Sequence, residues 1–251
     1  MTAYHVGCAD FARPRARYVT RLSFVEFPLR APLPSPKTLA QWQRSTPEGF
    51  AYALVAPPSL YGDPSWPLRD AAALRAEVDR FANLVDALGA RVAVFRTPMG
   101  VSPNSVALKR FEPVLERAAR IAPTVVWEPA GLWQREESLA VAEKHGVVVA
   151  SDPLHDDVEG EAVVYARLRG LGADRAYTMA RLEALAESLA GAETAYVVFA
   201  SANAWREAIG LRKLVDSQFA TLGDLEGDDE EDEEVDDEDD GEDGDDDEDE
   251  A

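Results

Sequence analysis

The chain has 251 residues, 46% of them hydrophobic, and a formal net charge of −22. Asp224–Ala251 hold 22 acidic residues and no Lys or Arg; removing them from the total of 47 leaves 25 acidic against 25 basic residues in 1–223, so the body is formally neutral. One cysteine, Cys8, excludes an internal disulfide, no apolar run approaches the roughly 20 residues that cross a bilayer, and no signal-type segment opens the chain; a cytoplasmic protein is expected, with no membrane and no direct nucleic-acid partner.

The elements follow in chain order. Tyr4–Cys8 reads as a first strand, and Ala12–Thr20 as a short, weakly marked helix. Phe24–Phe27 is a second strand, followed by a short helical segment around Leu39–Arg44, and Ala51–Ala56 is a third strand. Leu74, Val78, Phe81, Leu84, Val85 and Leu88 recur at three- and four-residue intervals and end at Gly89, which predicts an amphipathic helix with a glycine stop. Arg91–Arg96 is a fourth strand. Val106, Phe111, Val114, Leu115, Ala118 and Ala119 form the next helical face, opened by Ser102-Pro103. Thr124–Glu128 is a fifth strand, with a shorter helix around Leu139–Ala142 closed by Gly146. Val147–Ser151 and Ala162–Leu168 are the sixth and seventh strands; Pro153–Glu161 between them is too short for a regular helix. Met179–Leu189 is helical, with Thr178 as N-cap and Gly191 as stop. Ala195–Ala200 is the eighth strand, and Trp205 to Val215 carry a last helical face.

Strand and helix in alternation imply a parallel sheet. Eight strands in 223 residues fit a single α/β domain, a (β/α)8 TIM-type barrel with one or two degenerate crossover helices, the first and the sixth. An open doubly wound sheet is the alternative, but Gly7-Cys8-Ala9-Asp10 is not the glycine-rich first turn such a sheet shows. From 224 onward like charges repel and only Leu225 and Val235 are apolar, so 224–251 is expected to be a disordered acidic tail. Such a tail can raise solubility or hold basic proteins or cations.

Functional groups of such barrels collect where the strands end. Residues two apart share a face. Glu26 follows the parity of Phe24, Arg96 that of Val92 and Val94, Glu128 that of Val126, Arg167 and Arg169 that of Val163 and Tyr165, and Ser201 that of Val197 and Phe199. If these faces point inward, Glu26, Arg96, Glu128, Asp152, Arg167 and Arg169 meet at one mouth. An unpaired charge is costly among apolar neighbours. Glu26 and Glu128 therefore need partners, and the arginines are at hand. Arg suits planar, two-pronged contact with carboxylate or phosphate. The cluster is thus either an internal ion-pair network or a site for a small anionic ligand. Trp133 and Tyr177 are candidate pocket walls, while Trp42 and Trp205 read as helix packing. His5, His145 and His155 show no ligand spacing, and Asp152, His155 and Glu128 are a poor set beside three arginines, so neither metal nor cofactor is expected. Cys8 ends a strand and is either a nucleophile or a small buried hydrophobe. Gly170-Leu171-Gly172 is a loop first and a phosphate cradle second.

Several segments, in order, resemble the YecE-like family of unknown function. They are Val25-Glu26-Phe27, Thr46-Pro47-Glu48-Gly49-Phe50-Ala51-Tyr52-Ala53, Phe95-Arg96-Thr97-Pro98, Trp127-Glu128-Pro129-Ala130 with Leu132-Trp133, Ser151-Asp152, Tyr165-Ala166-Arg167-Leu168-Arg169-Gly170, and Val198-Phe199. The resemblance spans residues 4–219. It implies a TIM-type barrel with a rim pocket and brings no established reaction. Glu26, Glu128, Asp152, Arg167 and Tyr177 match the family pattern. Val55 stands where members carry Lys, Arg96 where they carry Gln, Arg169 where they carry His, and Ala200-Ser201 where they carry paired Asn. The chain is therefore a divergent member. Three functions remain open: binding of a phosphate- or carboxylate-bearing ligand, hydrolysis by the Glu26/Glu128 pair, and a non-catalytic scaffold whose tail binds basic partners.

Overall fold

All eight strands form and close on themselves in sequence order, β1 beside β2 through to β8 beside β1, every pair parallel. They are β1 (Ala3–Ala9), β2 (Phe24–Pro28), β3 (Ala51–Val55), β4 (Val92–Arg96), β5 (Thr124–Glu128), β6 (Val148–Ser151), β7 (Val163–Arg169) and β8 (Thr194–Ala200). The structure is a computed structural model and describes residues 2–57, 60, 71–97, 103, 105–170 and 176–225. Residues 1–216 make one compact unit and 217–251 a second, of which the described part is the end of the last helix.

The helices are α1 (Arg15–Tyr18), α2 (Pro36–Arg44), α3 (Ala71–Leu88), α4 (Ser105–Ala118), α5 (Arg135–His145), α6 (Met179–Leu189) and α7 (Ala204–Leu225). The two degenerate crossovers fall where expected: α1 is a single turn, and β6 runs to β7 without a helix. Glycine in the left-handed region terminates α5 at Gly146, φ 65°. Thr178 stands at the N-cap of α6, but its side chain makes no capping bond, and the helix closes on Ala190, one residue before the expected Gly191. The last helix extends to Leu225, two residues into the segment expected to be disordered; 226–251 lie outside the described residues.

The interior of the ring is filled by Phe24, Ala51, Ala53, Val55, Val92, Val94, Val126, Tyr165, Tyr196 and Val198, with Ala9, Val148, Ala150 and Val163 packed against them. This is the parity expected for β2, β4, β5 and β7. For β8 the expectation is corrected: Tyr196 and Val198 point inward, so Ser201 shares a face with the outward Val197 and Phe199 and sits away from the mouth, bonded to Glu207 of α7.

One residue deserves its glycine. A Cβ on Gly7 would lie 1.9 Å from the carbonyl oxygen of Phe24, its ladder partner on β2. Beside it, the Tyr18 hydroxyl accepts from the Cys8 amide at 2.7 Å and donates to the Phe24 carbonyl at 2.8 Å. This strut lets a one-turn crossover hold β1 against β2.

Candidate functional site

Above the apolar plug, four strands each send charge or hydroxyl to the same point. Glu26 of β2 is 1% exposed. It accepts from Arg96 of β4 through Nη2, from the Tyr165 hydroxyl of β7 at 2.7 Å, and from Arg167 Nε at 3.2 and 3.3 Å. Glu128 of β5 accepts from Arg96 Nε at 2.5 Å, Arg167 Nη1 at 3.2 Å and Arg169 Nη2 at 2.7 Å. Five of the eight proposed site residues thus form one network, Glu26, Glu128, Arg96, Arg167 and Arg169. Alternation along each strand produces it, because each of these residues stands two or four positions beyond an interior residue of its own strand.

The electrostatics follow from contact and burial. Burial alone would raise the Glu128 carboxyl, but Arg167 and Arg96, with the bond from Arg169, hold it below the ordinary carboxylate range. Burial works against the Arg96 charge, yet Glu26 and Glu128 outweigh it and keep the guanidinium protonated above its usual value. Burial, then the Glu26 charge, pushes the Tyr165 phenol well above its usual value, so it stays a donor.

Asp152 follows β6 and joins a different part of the rim. Its Oδ1 accepts from the Leu154 amide at 3.2 Å, and its own amide donates to Asp156 Oδ2 at 2.7 Å. With Asp156, Ser151, Glu128, Arg167 and Arg169 it lines a cavity of about 270 Å³ at the ends of β5, β6 and β7.

The two aromatic walls lie elsewhere. Trp133 stands edge-on against Trp127 at 4.8 Å, and Trp127 packs on Phe111 of α4 in the layer between barrel and helices. Trp133 is not part of the cavity lining, because β5 turns Trp127 outward and the loop follows it. Tyr177 is 5% exposed and sits behind the rim: its hydroxyl donates to the Arg169 carbonyl at 2.8 Å and its amide to the buried Glu207 carboxylate at 2.9 Å. Burial, with Asp152 and Glu207 near, raises its phenol to about 12.

Sequence reasoning missed two members. Tyr165 shares the parity of Arg167 and so could have been read as a donor to Glu26. Asp156 lies in a turn four residues past Asp152, where parity gives no guide. Cys8 is resolved toward the bland alternative: it is 1% exposed, and burial pushes its thiol up to about 11. Among the described residues no three of His, Cys, Asp and Glu gather as metal ligands. Pro98 and Gly170-Leu171-Gly172 cannot be followed, since Pro98, Leu171 and Gly172 lie outside the described residues.

A closed parallel eight-stranded ring with its polar groups at the C-terminal rim defines a TIM-type barrel protein. The chain belongs to the DUF72 family, described as Protein of unknown function DUF72, which it matches over residues 16–231. It is a divergent member. A DUF72 family protein of Enterococcus faecalis is 13% identical, with a TM-score of 0.66 over 85% of this chain and 98% of that one. A DUF72 family protein of Thermotoga maritima is 15% identical, with a TM-score of 0.63 over 85% and 99%. An AP endonuclease, family 2, from Brucella melitensis shares the barrel at 14% identity, with a TM-score of 0.57 over 86% and 98%. No curated protein matches the chain. Among the described residues no helix is long and apolar enough to cross a membrane.

Proposed function

We propose that the cavity between β5, β6 and β7 binds a small ligand bearing a phosphate or carboxylate. The observation that carries this reading is Arg169. Its side chain is 66% exposed at the cavity wall and, among the described residues, makes one side-chain hydrogen bond, to Glu128. A guanidinium has five N–H donors in a fixed fork, so most of Arg169 is available to an incoming anion. Arg167 adds a second guanidinium beside it.

The same geometry weighs against hydrolysis by the two glutamates. A general acid must hold a proton near neutral pH, and Glu128 is held below the ordinary range. Glu26 is already met by Arg96, Arg167 and Tyr165, and at 1% exposure it offers no face to a substrate. A pure scaffold would need no cavity beside its ion pairs. The test is a thermal-shift screen of anionic metabolites on the full chain and on Arg169→Ala. A ligand that prefers the folded state raises Tm. Stabilisation of the parent but not of the variant supports the reading. Equal shifts in both, or no shift by any anion, rejects it.

A further inference from the structure

Five charged side chains share the 270 Å³ cavity: Arg167, Arg169, Glu128, Asp152 and Asp156. Two guanidiniums against three carboxylates give the lining a formal charge of −1. A purely anionic molecule therefore gains at the arginine wall and loses at the aspartate wall. Electrostatic complementarity requires a ligand that matches both.

The two walls are not equally committed. Glu128 is saturated by Arg96, Arg167 and Arg169. The aspartates are not. Asp152 uses Oδ1 on the Leu154 amide, and Asp156 uses Oδ2 on the Asp152 amide. The cation near Asp156 among the described residues is Arg135 at 3.7 Å, which is itself tied to Glu161 and to the Asp157 carbonyl, each at 2.8 Å. Asp152 Oδ2 and Asp156 Oδ1 carry no hydrogen bond among the described residues.

We infer that the site takes an amphoteric small molecule, with its phosphate or carboxylate on Arg169 and Arg167 and an ammonium on Asp152 and Asp156. This rests on the anion-binding reading above and adds the second charge. At ~30 Å³ per water the cavity holds about nine waters, which is room for a molecule of about ten non-hydrogen atoms.

Calorimetric titration of the full chain at fixed ionic strength compares two matched pairs: O-phosphoethanolamine with 2-hydroxyethyl phosphate, and 4-aminobutyrate with 4-hydroxybutyrate. The first pair reports on phosphate and the second on carboxylate. In the pair with the preferred anion, the ammonium member should bind at least ~10-fold tighter, about 1.4 kcal/mol. Asp156→Asn keeps an acceptor for the Asp152 amide and should erase that difference. Arg169→Gln should weaken both members. If the hydroxyl member binds as tightly in both pairs, the amphoteric inference falls and the anion site stands. If Asp156→Asn leaves the preference intact, the ammonium lies elsewhere and the inference falls. If none of the four binds, the inference falls, and the Arg169→Ala screen separately decides the anion site.

Discussion

Replacing Glu26 with Ala is the sharpest test of the network. The carboxylate is 1% exposed and accepts from Arg96, Arg167 and Tyr165. Its removal leaves the Tyr165 hydroxyl buried at 0% exposure without that acceptor, and leaves Arg96 and Arg167 to share Glu128, their one remaining carboxylate, with Arg169. An orphaned buried hydroxyl costs about 1–3 kcal/mol. Breaking a buried ion pair costs about 3–5 kcal/mol. The two overlap, because one carboxylate serves both, so they do not add. Arg96 and Arg167 side chains are 27% and 15% exposed and can recruit water, which places the expected loss near ~3 kcal/mol, the low end of the pair range. For a barrel of this size that lowers Tm by roughly 6–12 °C. Urea denaturation followed by tryptophan fluorescence measures it, with Arg96→Ala and the double variant closing a cycle. A loss under ~1 kcal/mol at unchanged m, the range of exposed pairs, with no coupling in the cycle, would refute the reasoning.

Three further outcomes are expected. The Glu128 carboxyl titrates lower in the folded state than its unfolded value of about 4.3. Its stabilisation is therefore present above that value and lost as pH falls through the depressed one. Urea midpoints of the parent should drop more steeply below pH ~4.3 than those of Glu128→Gln, and parallel curves would contradict this. Gly7→Ala places a Cβ 1.9 Å from the Phe24 carbonyl oxygen, a backbone atom that cannot rotate away. It should cost ~3 kcal/mol or more, the upper end for overpacking, read as soluble yield and thermal midpoint. The Cys8 thiol, raised to about 11 and 1% exposed, should react with a disulfide reagent at pH ~8 only after denaturant is added; rapid stoichiometric reaction of the native protein would show that the strand end opens.

The barrel was legible because parallel strands buried on both faces read as apolar runs, and eight of them alternate with helical spacing. The convergence of Glu26, Arg96, Glu128, Arg167 and Arg169 was legible through period-two parity. Ser201 was misplaced because β8 is apolar on both faces, so Val197 and Phe199 gave no sign of pointing outward. Trp133 and Tyr177 lie in loops after strand ends, where no period fixes direction. Asp156 enters the cavity from a crossover without a helix, and irregular backbone leaves no pattern to read. The surplus of carboxylate at the lining could not be counted until that position was placed.

The bonds of the rim network span 32, 39, 41, 70, 139 and 141 residues of chain. Arg96 and Glu128 are ladder partners on successive strands, but the bonds to Glu26 demand closure of much longer loops. The glutamates gain their full set of donors only when β7 has docked. Interactions absent from the folding transition state act on the unfolding rate. The charges at the mouth therefore govern how long the closed ring lasts rather than how fast it assembles, and their loss should show on the unfolding limb of a chevron while the folding limb keeps its position.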